Sequence, residues 1–157
     1  MSHNEQILKT MRENMVKAVS LVPWAQEIGM QVLSVERAKV SGKLVWGEHL
    51  IGDPATGVIH GGVITSMLDN LGGMAVVSAL DKFRATATLD LRIDYMRPAE
   101  KERDIIGEAE CYHVTKTVAF INARAFHPDN EKIIASASGA FALTSPKNWT
   151  MSGGVKS

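Results

Sequence analysis

An internal disulfide is closed to this chain, because Cys111 is its only cysteine. A surplus of charge is missing as well. Seventeen Lys and Arg residues balance seventeen Asp and Glu residues, so the chain lacks the positive field that carries most non-specific nucleic-acid affinity. Nucleic acid is therefore not an expected partner. Long hydrophobic runs are also lacking: the most apolar stretch, Val63 to Leu80, is broken by Asp69, Asn70, Gly72 and Gly73, short of the roughly 20 apolar residues that span a bilayer. Met1 to Glu13 is polar and holds no apolar secretory core. These absences lead to the expectation of a soluble, cytoplasmic protein with no membrane partner. No Gly-x-Ser-x-Gly stretch occurs, which counts against a serine hydrolase. His3, His49, His113 and His127 show no ligand spacing, so neither metal nor cofactor is expected.

What is present suits one folded domain: 157 residues, 45% hydrophobic and 22% charged. Ile7, Leu8, Met11, Met15, Ala18, Val19 and Val22 recur at helical intervals before Pro23 stops the pattern. Residues 1–22 therefore form an N-terminal helical segment, residues 23–145 the main domain, and residues 146–157 a flexible polar tail. Within the main domain, Gly29 to Trp46 turns toward period two and holds two strands, the second with Val40, Leu44 and Trp46 on one side. Gly47 to Ile59 carries turn formers and no periodicity, which reads as a loop. Gly61 to Leu80 has apolar residues in nearly all directions, the pattern of a helix buried on every side. Ala85 to Arg97 alternates, with Leu89, Leu91, Ile93 and Tyr95 on one face and Thr88, Asp90, Arg92 and Asp94 on the other. Strands follow over Ile105 to His113, Thr117 to His127 and Lys132 to about Thr144. Ala119, Ile121, Ala123 and Ala125 make one face mostly small, leaving room for a helix to lie close. The order predicts an α+β fold: an antiparallel sheet of about six strands around a long central helix, with an N-terminal helix.

Two features could carry chemistry. Asp69 sits among Val63, Ile64, Met67, Leu68, Leu71 and Met74, where a carboxylate loses hydration and needs a reason to persist. It is either a functional acid or, with Asn70, part of a polar stripe at a subunit contact. His60-Gly61-Gly62 opens the helix, whose first-turn N–H groups lack internal partners and can meet a developing negative charge. It is either an oxyanion site or a plain loop-to-helix junction. Asp69 lies eight residues past Gly61, about 12 Å along a helix. For both to act on one carbonyl, one of them must come from a partner subunit with an antiparallel helix, which predicts a two-fold dimer with shared sites.

The run Gly57-Val58-Ile59-His60-Gly61-Gly62-Val63-Ile64, then Asp69, then Gly72-Gly73, then Leu89 to Ala99 resembles the phenylacetate-degradation branch of the hotdog thioesterase superfamily. The resemblance implies a hotdog fold, dimers that pair again into tetramers, and acyl-CoA thioesters as substrates hydrolysed to acid and CoA. It implies Asp69 as general base or nucleophile, Gly61 as the backbone donor to the thioester carbonyl, His60 as the residue fixing that turn, and Thr88 as a residue orienting water or Asp69. Gly62, Asp53 and Arg97 become candidate substrate contacts, Arg97 either near the CoA phosphates or a solvated strand-end arginine, while Met67, with Leu71 and Met74, either lines the acyl pocket or packs the core. Asp53 and Pro54 stand where this branch commonly has an asparagine, so a side-chain amide donor is missing there. Two other outcomes belong to the same fold: a non-catalytic acyl-CoA-binding module, and a hydratase or dehydratase of acyl thioesters.

Overall fold

The structure, a computed structural model, describes residues 3–144; within its first helix the side chains of residues 3–5, 7, 8, 11, 12 and 20 are outside that description, as is the whole tail from residue 145. The places expected of Ile7, Leu8 and Met11, and the expected flexible tail, thus fall outside the described residues. The first helix, α1, runs His3–Ser20, and Pro23 opens a separate short helix, α2, over Pro23–Glu27. Proline suits the first helical turn because the N–H it lacks would have had no partner there.

Strands β1 (Met30–Glu36) and β2 (Lys39–Leu44) follow, then β3 (Ile51–Asp53), β4 (Val58–Ile59), helix α3 (Gly61–Ala79), β5 (Thr86–Tyr95), β6 (Ile105–Val114), β7 (Val118–His127) and β8 (Asn130–Leu143). Six strands form one sheet in the order β1-β2-β6-β7-β8-β5, every neighbouring pair antiparallel. This is the α+β hotdog arrangement: the sheet curls around α3, with β1 and β5 as its edges. The segment expected to be only a loop contains a 3-10 turn at Glu48–Leu50 and the small β3-β4 hairpin. Both strands are too short for an alternating pattern to register.

The inward faces explain the close fit of α3. Ala119, Ile121, Ala123 and Ala125 of β7 are buried as their small size requires. Gly42 and Gly107 complete the relief. A Cβ at Gly42 would lie 2.9 Å from Leu71 and 2.9 Å from the Gln31 carbonyl, and one at Gly107 would lie 2.7 Å from Leu71. Met67, Leu68 and Leu71 are wholly buried in this seam. Val40 and Leu44 point inward as expected, while Trp46 lies beyond the end of β2. His127 is buried at the end of β7, where Nε2 accepts from the Glu100 N–H at 2.9 Å and Nδ1 meets the Asp104 carbonyl at 2.8 Å. It pins the β5-β6 connection.

Among the described helices, α3 alone is long and apolar enough to cross a membrane, and most of it is buried inside the sheet. Burial on every side is not what the single chain has. Thr65, Ser66, Asp69, Asn70, Gly73 and Val77 remain partly open along one stripe, because the sheet covers only the other faces.

Candidate active site

The loop before α3 sets its first turn. His60 donates its backbone N–H to the Leu50 carbonyl at 2.8 Å, and Gly52 lies so close that a Cβ there would stand 2.7 Å from the His60 Cα. Thus fixed, His60 caps the helix: its Nδ1 accepts the Gly62 N–H at 2.9 Å and its carbonyl accepts the Val63 N–H at 2.9 Å. Nδ1 is therefore the unprotonated nitrogen of a neutral ring. Of the first three helical N–H groups, that of Gly61 finds no acceptor among the described residues. The cap thus occupies Gly62 and leaves Gly61 to offer a hydrogen bond at the positive end of the helix.

Tyr95 was not foreseen at this site. Its hydroxyl donates to the Gly61 carbonyl at 2.6 Å and sits 2.8 Å from the Thr65 hydroxyl, tying the end of β5 to the start of α3. A Cβ on Gly61 would stand 3.1 Å from that hydroxyl, so a side chain is disfavoured there. The sequence signal was an inward-facing tyrosine, whose hydroxyl needs a partner when its ring packs. Gly61, Tyr95 and Arg97 line an open groove of about 360 Å³ with Val58, Ile64 and Met96. Arg97 is exposed at its rim, and its Nε donates to the Ile133 carbonyl at 2.9 Å.

Asp69 lies two turns further along. Its half-buried carboxylate accepts the Thr88 hydroxyl at 2.8 Å through Oδ1. Strict alternation would turn Thr88 away from the helix. A bulge between Thr88 and Asp90 resets the register, so that Thr88 and Leu91 both face α3 and Leu89 is left 61% exposed. Leu89 is therefore corrected from the inner face. Gly139, paired with Leu91 just past the bulge, leaves no room for a side chain, since a Cβ there would lie 2.8 Å from the Asp90 carbonyl. A lone glycine inside a strand pattern was the available sign. Asp69 and Thr88 open on a second groove, about 310 Å³, whose other walls include Met15, Val19, Met74, Val77, Phe83 and Phe141.

Two expected substrate contacts sit elsewhere. Met67 is wholly buried, its thioether against Gly107, so in this chain it packs the core and Met74 lines the groove. Asp53 forms a turn of its own: Oδ1 accepts the Ala55 N–H at 3.0 Å and Oδ2 the Thr56 hydroxyl at 2.7 Å, and Gly57, at φ 72°, closes the loop. The Thr56 bond first, then the Ala55 N–H, holds its carboxyl below the ordinary 3.8. Arg84, a basic residue at a strand end, spends its guanidinium on the carbonyls of Lys116, Leu143 and Thr144. A larger concavity, about 540 Å³, lies on the outer face of the sheet. Both of its basic groups are paired within it, Arg124 with Glu108 at 2.7 Å and Lys39 with Glu110 at 3.4 Å. No group of three or more His, Cys, Asp or Glu side chains among the described residues is placed to hold a metal ion.

Residues 56–134 match the family model of the thioesterase superfamily, which is half of the chain and includes both the helix N-terminus and Asp69. The chain belongs to the thioesterase superfamily. Among its relatives, the medium/long-chain acyl-CoA thioesterase YigI of Escherichia coli is 27% identical over 152 residues, spanning 88% of this chain and 95% of that one. A protein of Halobacterium salinarum is 43% identical over 67 residues, so this chain spans under half of its length (43%), and 41% of this chain is matched. A crystal structure from Pseudomonas aeruginosa superposes with a TM-score of 0.75 at 38% identity, covering 84% of this chain and 98% of that one. The E. coli PaaI protein of the phenylacetic acid degradation operon shares the fold, with a TM-score of 0.75 at 16% identity over 85% of this chain and 92% of its own. Membership and these relatives support thioester hydrolysis as the general chemistry.

Proposed function

We propose that this thioesterase-superfamily chain hydrolyses an acyl-CoA thioester in the cytoplasm, at sites shared between two subunits. The observation that carries the reading is the Asp69 carboxylate, oriented by Thr88 at the head of a mainly apolar groove. Such placement suits a base or nucleophile, which must be positioned before it can act. The acyl-CoA activity named for YigI supports the substrate class.

The uncapped Gly61 N–H supplies the second requirement, a donor for the oxygen that gains charge as the carbonyl is attacked. On one chain the two groups stand about 12 Å apart along the helix. They meet on one carbonyl when a second copy docks with its helix antiparallel. Edge strand β5 suits that docking, because Leu89, Tyr95 and Met96 are exposed on it or at its end beside the open stripe of α3. A second pairing through the outer sheet face gives a dimer of dimers. In the shared site, Asp69 takes a proton from water as the oxygen attacks the carbonyl carbon; the carbon–sulfur bond then breaks, and the proton held by Asp69 passes to the departing sulfur so that CoA leaves as the thiol and the carboxylate is restored. Direct attack by Asp69 gives a mixed anhydride that water opens to the same products. Arg97 at the Gly61 groove faces the CoA phosphates, a task suited to guanidinium.

Asp69→Asn is the direct test, read as free thiol released from acyl-CoA. Loss on the order of 10²–10⁴ in turnover is expected with the fold intact. Near-normal turnover would remove Asp69 from the chemistry. Tight acyl-CoA binding by the wild type without thiol release would make the protein a binding module instead.

A further inference from the structure

The Asp69 groove has a direction. Asp69, Gly73 and Val77 are spaced four residues apart and all line it, so it follows one face of α3 for about 12 Å at 1.5 Å per residue. Most polar atoms lie at one end, with Asp69, Asn70 and Thr88; the remainder is lined chiefly by Met15, Val19, Met74, Val77 and Phe141, with the Thr86 hydroxyl beside Gly73. Phe83, 55% exposed, also lines it and follows the C-terminus of α3. One wall therefore belongs to α1, outside the sheet and helix that make the rest of the fold. Gly73 lies between the two ends: a Cβ there would meet the Phe141 ring at 3.5 Å and the Thr86 hydroxyl at 3.8 Å, ordinary contact distances. The absent side chain is thus not demanded by packing, and its absence leaves the middle of the groove open.

We infer that this groove receives the acyl chain of the thioester as a linear alkyl tail, and that Met15 and Val19 of α1, together with Gly73, set the length accepted. The inference rests on the hydrolytic reading above. Its path fits an extended tail of roughly ten carbons, given carbon–carbon bonds near 1.5 Å that advance somewhat less in a zigzag. A path along one helix face admits methylenes in file. Methionine side chains adapt to such a chain with little strain.

The test is a series of saturated acyl-CoAs from four to sixteen carbons, with kcat/KM read by thiol release and binding of the free fatty acids read by calorimetry. For the wild type, kcat/KM rises about fourfold per methylene until the groove is filled and then levels, the factor expected for burial of one methylene. Gly73→Ala and Val19→Phe shorten the length at which it levels and lower the ten-carbon to four-carbon ratio at least tenfold. Met15→Ala moves the levelling point to longer chains. Gly73→Ala also raises Tm, because alanine favours a helix interior over glycine, so its selectivity change cannot come from a damaged fold. Opposite shifts from filling and emptying variants are what a length gauge requires. Unmoved profiles with hydrolysis intact would overturn the gauge alone. If no chain length is hydrolysed, the hydrolytic reading fails; fatty-acid affinities that ignore all three substitutions would then overturn the gauge independently.

Discussion

In the proposed site Thr88 positions Asp69 through one hydrogen bond to the carboxylate. Bonds to charged groups contribute about 1.5–3 kcal/mol, so Thr88→Val lowers turnover on the order of 10- to 100-fold. Thr88→Ser keeps the hydroxyl and restores most of the loss, a rescue that a packing role for the methyl group would not give. Asp53 is tested by pH. Its carboxyl is held below the ordinary 3.8 by the Thr56 hydroxyl and the Ala55 N–H, so the charged form is the one stabilised in the folded turn. That contribution is present above the ordinary value and is lost as pH falls through the lower folded value. Hydrogen exchange at the Ala55 amide accelerates in acid over that range; a rate following only the intrinsic pH dependence would show the turn to be indifferent to the charge. At this scale the chain itself pointed to His60, Gly61 and Asp69, because residue type and spacing carry that information. The division of labour between Gly61 and Gly62 was not legible. It depends on which N–H the His60 ring accepts, a matter of rotamer and loop packing.

Among the elements, the fit of α3 into the sheet depends on glycines where strands pass beneath it. Gly42→Ala brings a Cβ to 2.9 Å from both a neighbouring strand carbonyl and Leu71, and backbone cannot swing aside as a side-chain end can. The expected cost is about 1–3 kcal/mol, typical of overpacking, read as a lower denaturation midpoint at unchanged slope. An unchanged midpoint would mean the seam is slack. The small face of β7 was visible from period-two spacing, since Ala119, Ile121, Ala123 and Ala125 all fall on it. Leu89 was misplaced by the same rule. Alternation assumes an unbroken ladder, and the bulge between Thr88 and Asp90, opposite Phe141 and Ala140, inserts one residue and exchanges the faces upstream of it. That exchange is what turns Thr88 toward Asp69.

At the scale of the whole molecule the proposed reaction requires two chains, which makes complementation decisive. Asp69→Asn subunits mixed with Gly61→Val subunits form hybrid dimers in which one site carries both defects and the other carries neither. Random pairing then restores roughly a quarter of wild-type turnover from two nearly inactive parents. Absence of rescue, with hybrids shown by mass, would place both groups on separate tasks. The sequence by itself determined the class of fold, the succession of the main strands and the central helix along the chain, and the family, because periodicity and local motifs survive without coordinates. Only the tertiary structure decided that α1 walls the Asp69 groove, that Tyr95 ties strand to helix, and that Met67 faces the core. Those facts depend on which distant surfaces meet, and contacts between residues far apart in the chain leave no periodic trace in any one segment of it.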